Sequence, residues 1–124
     1  MPAGLILWSA AVFNMGVALA FVVVPDAVMA AMTGEVGSPA IGVMYPFAAA
    51  VFAFGLGYAW AAMDLERNRA IIRLAVIGKA IAFLMVLVGV VRGVLLPAAV
   101  IGGAFDGLYA GLFVWVLRQS AVSR

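Results

Sequence analysis

Four long runs of apolar residues alternate with short polar segments along the chain. The runs cover approximately residues 4–24, 40–62, 71–95 and 98–118. Each is about as long as the roughly 20 apolar residues that an α-helix needs to cross the hydrocarbon core of a bilayer. The runs are continuous, as in membrane helices, and do not alternate as barrel strands do. The pattern therefore predicts an all-α fold, an antiparallel up-and-down bundle of four transmembrane helices in a single domain over residues 1–124.

The connections between these spans are short and leave no room for a separate soluble domain. Pro25 ends the first span, because proline cannot continue the hydrogen-bond ladder of a helix. Residues 26–32 are expected to form one or two helical turns at the membrane surface, residues 63–69 (MDLERNR) a polar turn, and residues 96–99 (LPAA) a tight hairpin. Pro46 lies inside the second span, where it predicts a kink.

The composition identifies lipid as the solvent of most side chains. Of the 124 residues, 69% are hydrophobic and 10% are charged, whereas a soluble domain is about half apolar and a quarter charged.

The formal net charge of +2 includes no basic cluster that would bind nucleic acid. The chain has no cysteine and no histidine, which removes thiolate chemistry and the commonest metal ligand and general base. We therefore expect no catalytic residue, no metal site and no cofactor.

The distribution of charged residues predicts how the bundle is oriented. Five arginines lie at the end that carries both termini: Arg67, Arg69, Arg73, Arg118 and Arg124. The opposite end carries Asp26, Glu35 and one arginine, Arg92. Because cytoplasmic loops carry an excess of basic residues, both termini are expected in the cytoplasm. The first span follows no positively charged segment and is expected to be a retained transmembrane helix of a bacterial inner membrane protein.

Three polar residues on three different spans are predicted to share one depth in the membrane. At about 1.5 Å per residue, Asn14 lies about 15 Å, Lys79 about 12 Å and Asp106 about 18 Å from the cytoplasmic end. Tyr58 on the second span is somewhat shallower, and Tyr109 lies on a neighbouring part of the same face as Asp106. Charges at this depth are costly unless they are paired. We therefore expect Lys79 to pair with Asp106 across the hairpin, with Asn14 as a third member.

This polar layer has two interpretations. Intramembrane ionisable residues mark proton relays, substrate contacts or counter-ions, so the layer is a candidate functional site. A buried ion pair also determines which helices pack and in which register, while adding little net stability. For a chain of this size the structural interpretation is the stronger of the two, and the functional one stays open.

Small residues form a stripe along the fourth span. Gly103, Gly107 and Gly111 recur every four residues, a spacing that lets two helices approach closely. The partner of this stripe is either another helix of the same chain or a second copy of the protein. The second span carries a weaker version of the pattern, which includes Gly55 and Gly57.

Several features occur together: four short spans, Pro-Asp after the first, GLGYAWAAMDLERNR at 55–69, Gly-Lys at 78–79 and an aspartate in the last span. In this combination the chain resembles small four-span bacterial membrane proteins that are loosely grouped with the DoxX-like families. The resemblance covers nearly the whole chain. Some DoxX-type proteins are small subunits of membrane oxidoreductase complexes that pass electrons to quinone, so the resemblance implies an accessory role. No established catalytic residue of that family corresponds to a position in this chain.

Three functional hypotheses follow. The first is a non-enzymatic accessory or structural subunit of a larger membrane assembly. The second is a small homo-oligomeric transporter or channel, with proton coupling as one form of it, which uses Asn14, Lys79 and Asp106 as its polar layer and the glycine stripe as its interface. The third is a binder of a quinone-like or isoprenoid-like lipid, whose head group the polar pair would hold. The expected partners are membrane lipids, further copies of the chain or other membrane subunits.

Overall fold

A computed structural model of the chain describes residues 2–122. This part of the chain is largely helical and contains no strand. The helices are α1 (Ala3–Val23), α2 (Pro25–Thr33), a short 3-10 helix (Pro39–Val43), α3 (Met44–Met63), α4 (Leu65–Val91) and α5 (Ala99–Val122). The predicted all-α bundle is confirmed. The cytoplasmic position of the termini stays a prediction, and Arg124, which contributes to it, lies outside the described residues.

Four helical segments of the described chain are long and apolar enough to cross a membrane: Ala3–Val23, Pro39–Met63, Leu65–Val91 and Ala99–Val122. In the bundle, α1 packs mainly against α3 and α4 packs mainly against α5, while contacts between α3 and α4 and between α1 and α5 close the ring. Neighbouring helices run antiparallel, as the up-and-down pattern predicts. Every helix of the ring therefore has two neighbours and one face directed outward.

The polar turn predicted over residues 63–69 is mostly helical in the structure: Asp64 separates α3 from α4, and a kink at Asn68 divides the first turn of α4 from the rest of the helix. The Asp64 carboxylate accepts a hydrogen bond of 3.1 Å from the backbone N–H of Arg67 and so caps the first turn of α4. Asn68 departs from helical geometry, with φ −108° and ψ 16°, and its side-chain amide donates to the carbonyl of Asp64 at 2.8 Å. Hydropathy marks where a span leaves lipid, whereas capping determines where its helix begins.

The opposite end of α4 also differs from the predicted span of 71–95, because the helix ends at Val91. The chain reverses at Gly93, whose φ of +70° favours glycine. The backbone N–H of Leu96 then donates to the carbonyl of Met32 at 2.7 Å. The tight hairpin between α4 and α5 is present, and this bond ties it to the end of α2.

The helical turns predicted over residues 26–32 are confirmed as α2, which begins with Pro25 at its first position. The kink predicted at Pro46 is wrong. Pro46 lies in the first turn of α3, which begins at Met44. In that turn the N–H that proline lacks has no intrahelical partner, so the helix loses no hydrogen bond.

Two apolar clusters fill the interior, one toward each end of the bundle. The larger cluster contains Ile6, Leu7, Ala10, Ala11, Tyr58, Ala61, Ile72, Ala75, Phe113 and Val116. The smaller cluster contains Ala18, Phe21, Met44 and Ala48. Large apolar side chains from all four long helices also remain exposed on the outside, where the hydrocarbon of a bilayer would surround them. The buried polar residues Asn14 and Lys79 lie between the two clusters along the bundle.

Candidate functional site

A single buried ammonium group lies at the centre of the polar layer. The side chain of Lys79 is 6% exposed. Its Nζ atom donates to Oδ1 of Asp106 at 2.6 Å and to Oδ1 of Asn14 at 3.2 Å. The structure thus brings together the three polar residues that depth along the helices assigns to one layer. They come from α1, α4 and α5, so the interaction joins three helices.

Two aromatic rings complete the surroundings of the ammonium group. The Nζ atom of Lys79 lies 5.6 Å from the ring centroid of Tyr58 and 5.5 Å from that of Tyr109. A cation within about 6 Å of an aromatic face is attracted by the negative face of the ring. Tyr58 belongs to α3, so all four long helices contribute to one network around Lys79. We call Asn14, Tyr58, Lys79, Asp106 and Tyr109 the Lys79 network.

Asn14 is positioned by a close contact between α1 and α3. Its amide Nδ2 donates to the carbonyl of Val51 at 3.2 Å. One helical turn further along α3, a Cβ atom added to Gly55 would lie 3.3 Å from the carbonyl oxygen of Ala11 and 3.2 Å from Cγ of Met15. The glycine therefore lets α1 approach α3 closely enough for Asn14 to hydrogen-bond to both α3 and Lys79.

The glycine stripe of α5 lies against α4 of the same chain. A Cβ atom added to Gly103 would lie 3.1 Å from Val86, and one added to Gly107 would lie 3.1 Å from the ring of Phe83. Nothing lies within 4 Å of the corresponding position at Gly111. Two of the three glycines thus make room for side chains of α4 and bring α4 and α5 together beside the ion pair.

The Asp106 carboxylate is the less enclosed partner of the ion pair, because its side chain is 28% exposed. On the same stretch of α5, Phe105 stacks on Phe13 of α1 with the ring centroids 5.2 Å apart. The hydroxyl of Tyr109 donates to Oγ of Ser9 at 3.2 Å. This arrangement holds a charge pair in an aromatic and apolar setting, and its carboxylate borders the outer surface of the bundle.

Sequence reasoning missed Phe113, which joins the network to the larger apolar cluster. Its ring packs edge-on against Tyr58 with a centroid distance of 5.1 Å and lies 5.9 Å from Tyr109. Phe113 follows Tyr109 by four residues on α5, a spacing that places both on one helical face. That periodicity is the signal in the sequence that identifies it.

The described residues 2–122 contain no group of three or more histidine, cysteine, aspartate or glutamate side chains that could hold a metal ion. Neither the groove lined by Arg69, Arg73 and Arg118 nor the groove lined by Phe21, Met29 and Phe47 includes a member of the Lys79 network. No family model, no curated protein and no solved structure matches this chain. Its four apolar spans make it a small integral membrane protein, in which side chains from all four long helices surround one buried ammonium group.

Proposed function

We propose that this protein is a non-enzymatic structural or accessory component of a larger membrane assembly. In this proposal the Lys79 network holds the four spanning helices in one arrangement. The observation that carries the proposal is the enclosure of one ammonium group by side chains from all four long helices. A group that binds a substrate needs a free face, whereas a group that fixes a fold needs partners on every side.

The bonding capacity of Lys79 supports this role. An ammonium group has three N–H donors. Two of them reach Asp106 and Asn14, and the rings of Tyr58 and Tyr109 flank the group. A ligand would have to displace one of these partners to reach Nζ. The geometry therefore favours a permanent interaction over a binding site that fills and empties.

The network also makes the packing of the helices specific. A shift of α4 by one helical turn would move Lys79 by about 5.4 Å along the bundle. At that distance its contact with Asp106 would be lost, and two unpaired charges would remain in an apolar environment. Alternative registers are therefore disfavoured even if the pair adds little net stability to the native one.

The outer surface supports partnership within the membrane. Of the four long helices, α4 buries the smallest share of its apolar segment. Leu84, Met85 and Val91 are among its exposed residues, and they offer an apolar surface to lipid or to another subunit. The resemblance to DoxX-like proteins suggests the same kind of role, as an accessory subunit in a bacterial inner membrane.

The test is to determine the native particle that contains this protein. The protein is extracted from its own membrane in polymer nanodiscs, and the mass of the particle and all co-purifying chains are measured by native mass spectrometry. Foreign subunits at fixed stoichiometry support the proposal. A particle that contains only this chain, and that remains so under the mildest extraction, contradicts it.

A second candidate function, a proton-linked homo-oligomeric transporter, is favoured by the partial exposure of Asp106. Its carboxylate borders the outer surface of the bundle, where a second copy of the chain could pack against it and enclose a path for protons. An oligomer would need an interface other than the predicted stripe, because Gly103 and Gly107 pack against α4. Proton flux into proteoliposomes that is lost in Asp106→Asn, with helicity retained, would favour this candidate.

A quinone or isoprenoid bound at fixed stoichiometry would favour the lipid-binding hypothesis instead.

A further inference from the structure

A groove of about 340 Å³ lies between α4 and α5 at the end of the bundle where α4 begins and α5 ends. It is separate from the Lys79 network. Three arginines and three large apolar residues line it: Arg69, Arg73, Arg118, Val76, Val114 and Leu117. In the sequence these arginines indicate only the orientation of the chain, whereas the fold gathers them around one concave surface.

Charge and apolarity are ordered by depth along this groove. Arg73 lies about 12 Å from the start of α4, and Val76 lies about one further turn toward the membrane centre. On α5, Arg118 lies about 6 Å and Val114 about 12 Å from the end of the helix. Along each helix the arginine is nearer the membrane surface and the valine is nearer the hydrocarbon. This order matches an amphipathic ligand with a charged head and an apolar chain.

Arg69 is already engaged and shapes the groove. Its guanidinium group donates to the carbonyl of Leu117 at 3.0 Å and to the hydroxyl of Ser120, and it lies 3.6 Å from a carboxylate oxygen of Glu66. These bonds join the start of α4 to the last turns of α5. They hold the two helices at the spacing that the groove requires.

Arg73 and Arg118 are the arginines that remain for a ligand. Both are exposed, and neither forms a hydrogen bond or an ion pair with another residue of the range 2–122. Among the described residues, three arginines and no carboxylate line the groove, and Glu66 lies beside Arg69 at its edge. A guanidinium group offers a planar set of N–H donors that matches two oxygens of a phosphate.

We propose that this groove binds an anionic phospholipid. The phosphodiester lies between Arg73 and Arg118, and one acyl chain follows Val76, Val114 and Leu117 toward the membrane centre. Basic pockets between spanning helices bind anionic head groups at the cytoplasmic side of membranes. That is the side to which the arginine distribution assigns this end of the bundle. The inference depends on the membrane character of the chain and not on its proposed accessory role.

The test compares lipid binding by wild type and by the double variant Arg73→Gln/Arg118→Gln. Each protein is placed in micelles with equal amounts of phosphatidylglycerol and phosphatidylcholine, and retained lipids are counted by native mass spectrometry. Wild type should retain phosphatidylglycerol preferentially. The affinity for phosphatidylglycerol should fall about fivefold for each arginine removed, and therefore roughly 25-fold in the double variant, as expected for basic residues near an anionic membrane surface. Both side chains are exposed, so the fold is expected to be retained, and far-UV circular dichroism verifies this.

Arg67→Gln is the matched control. Arg67 lies in the first turn of α4 and carries the same charge, but its side chain is 88% exposed and does not line the groove. Its loss should leave phosphatidylglycerol retention unchanged. Three results would overturn the proposal: no preference for phosphatidylglycerol in wild type, an equal loss in the control, or displacement of the lipid by excess inorganic phosphate, which would indicate a site for the free anion.

Discussion

Removal of one member of the Lys79–Asp106 pair should destabilise the bundle far more than removal of both. Lys79→Met leaves the Asp106 carboxylate without a cation, and Asp106→Leu leaves an ammonium group that only Asn14 and two rings contact. Either single change places one uncompensated charge in an apolar environment. The double variant removes both charges and replaces them with apolar side chains of similar size, an exchange that is often neutral or stabilising for buried pairs.

The geometry of the pair gives the magnitude of these effects. At 2.6 Å and an effective dielectric constant of about 20, the gross attraction between the charges is about 6 kcal/mol. Desolvation of both groups offsets much of this attraction in the intact pair. Removal of one partner leaves the other charge desolvated and uncompensated, so each single variant should lose about 3–5 kcal/mol of unfolding free energy. The double variant should lose about 1–3 kcal/mol, because the Asn14 amide oxygen is left without its donor. The coupling energy in the cycle should therefore be at least about 3 kcal/mol.

The assay is reversible unfolding in mixed micelles by titration with sodium dodecyl sulfate, followed by far-UV circular dichroism. Ile77→Met is the control for Lys79→Met, because it introduces the same residue into the same helix at a position that is 57% exposed. Its unfolding free energy should change by less than about 0.5 kcal/mol. Two results would refute the reasoning. One is a loss of unfolding free energy in the single variants that is no larger than in this control. The other is a loss in the double variant that equals the sum of the two single losses.

Three further predictions concern helix contacts and ends. Gly55→Ala should lower the free energy of unfolding by about 1–3 kcal/mol, because the added methyl group would lie 3.3 Å from the carbonyl oxygen of Ala11. Gly16→Ala, with no neighbour within 4 Å, is its control, and equal melting temperatures for the two variants would contradict the argument. Arg69→Gln should accelerate amide hydrogen exchange in the last turns of α5, because the substitution removes the hydrogen bonds from Arg69 to Leu117 and Ser120. Unchanged exchange in these turns would show that the bonds are dispensable. Asp64→Ala should lower the free energy of unfolding by about 1 kcal/mol. It should also increase amide hydrogen exchange at the first turn of α4, where the Asp64 carboxylate accepts a backbone hydrogen bond. Amide protection equal to that of wild type would exclude the capping role.

The ends of the helices show where hydropathy stops being informative. Hydropathy predicts that the third span begins at residue 71, but α4 begins at Leu65. The polar residues between these positions form a first turn that Asp64 caps, and a kink at Asn68 separates this turn from the rest of α4. The position of Pro46 inside an apolar run predicts a kink, yet this proline occupies the first turn of α3. In both cases local backbone hydrogen bonding decides the outcome, and apolar character does not report it.

Depth in the membrane is determined by the sequence alone. The rise of about 1.5 Å per residue is fixed, so counting along the spans is enough to place Asn14, Lys79 and Asp106 in one layer. The cost of an unpaired charge in lipid then makes a pair the expected solution. These two physical constraints act on each helix regardless of its neighbours, and for that reason they can be applied to the sequence by itself.

Rotation of each helix about its axis, and the choice of its neighbours, are decided only by the tertiary structure. Those rotations place the rings of Tyr58 and Tyr109 beside Lys79. They also bring Gly55 into contact with α1 and form the groove beside Arg73. Lipid surrounds every apolar face equally well, so no hydrophobic preference selects the face that turns inward. Close packing and interhelical hydrogen bonds make that selection, and they exist only once the helices are together.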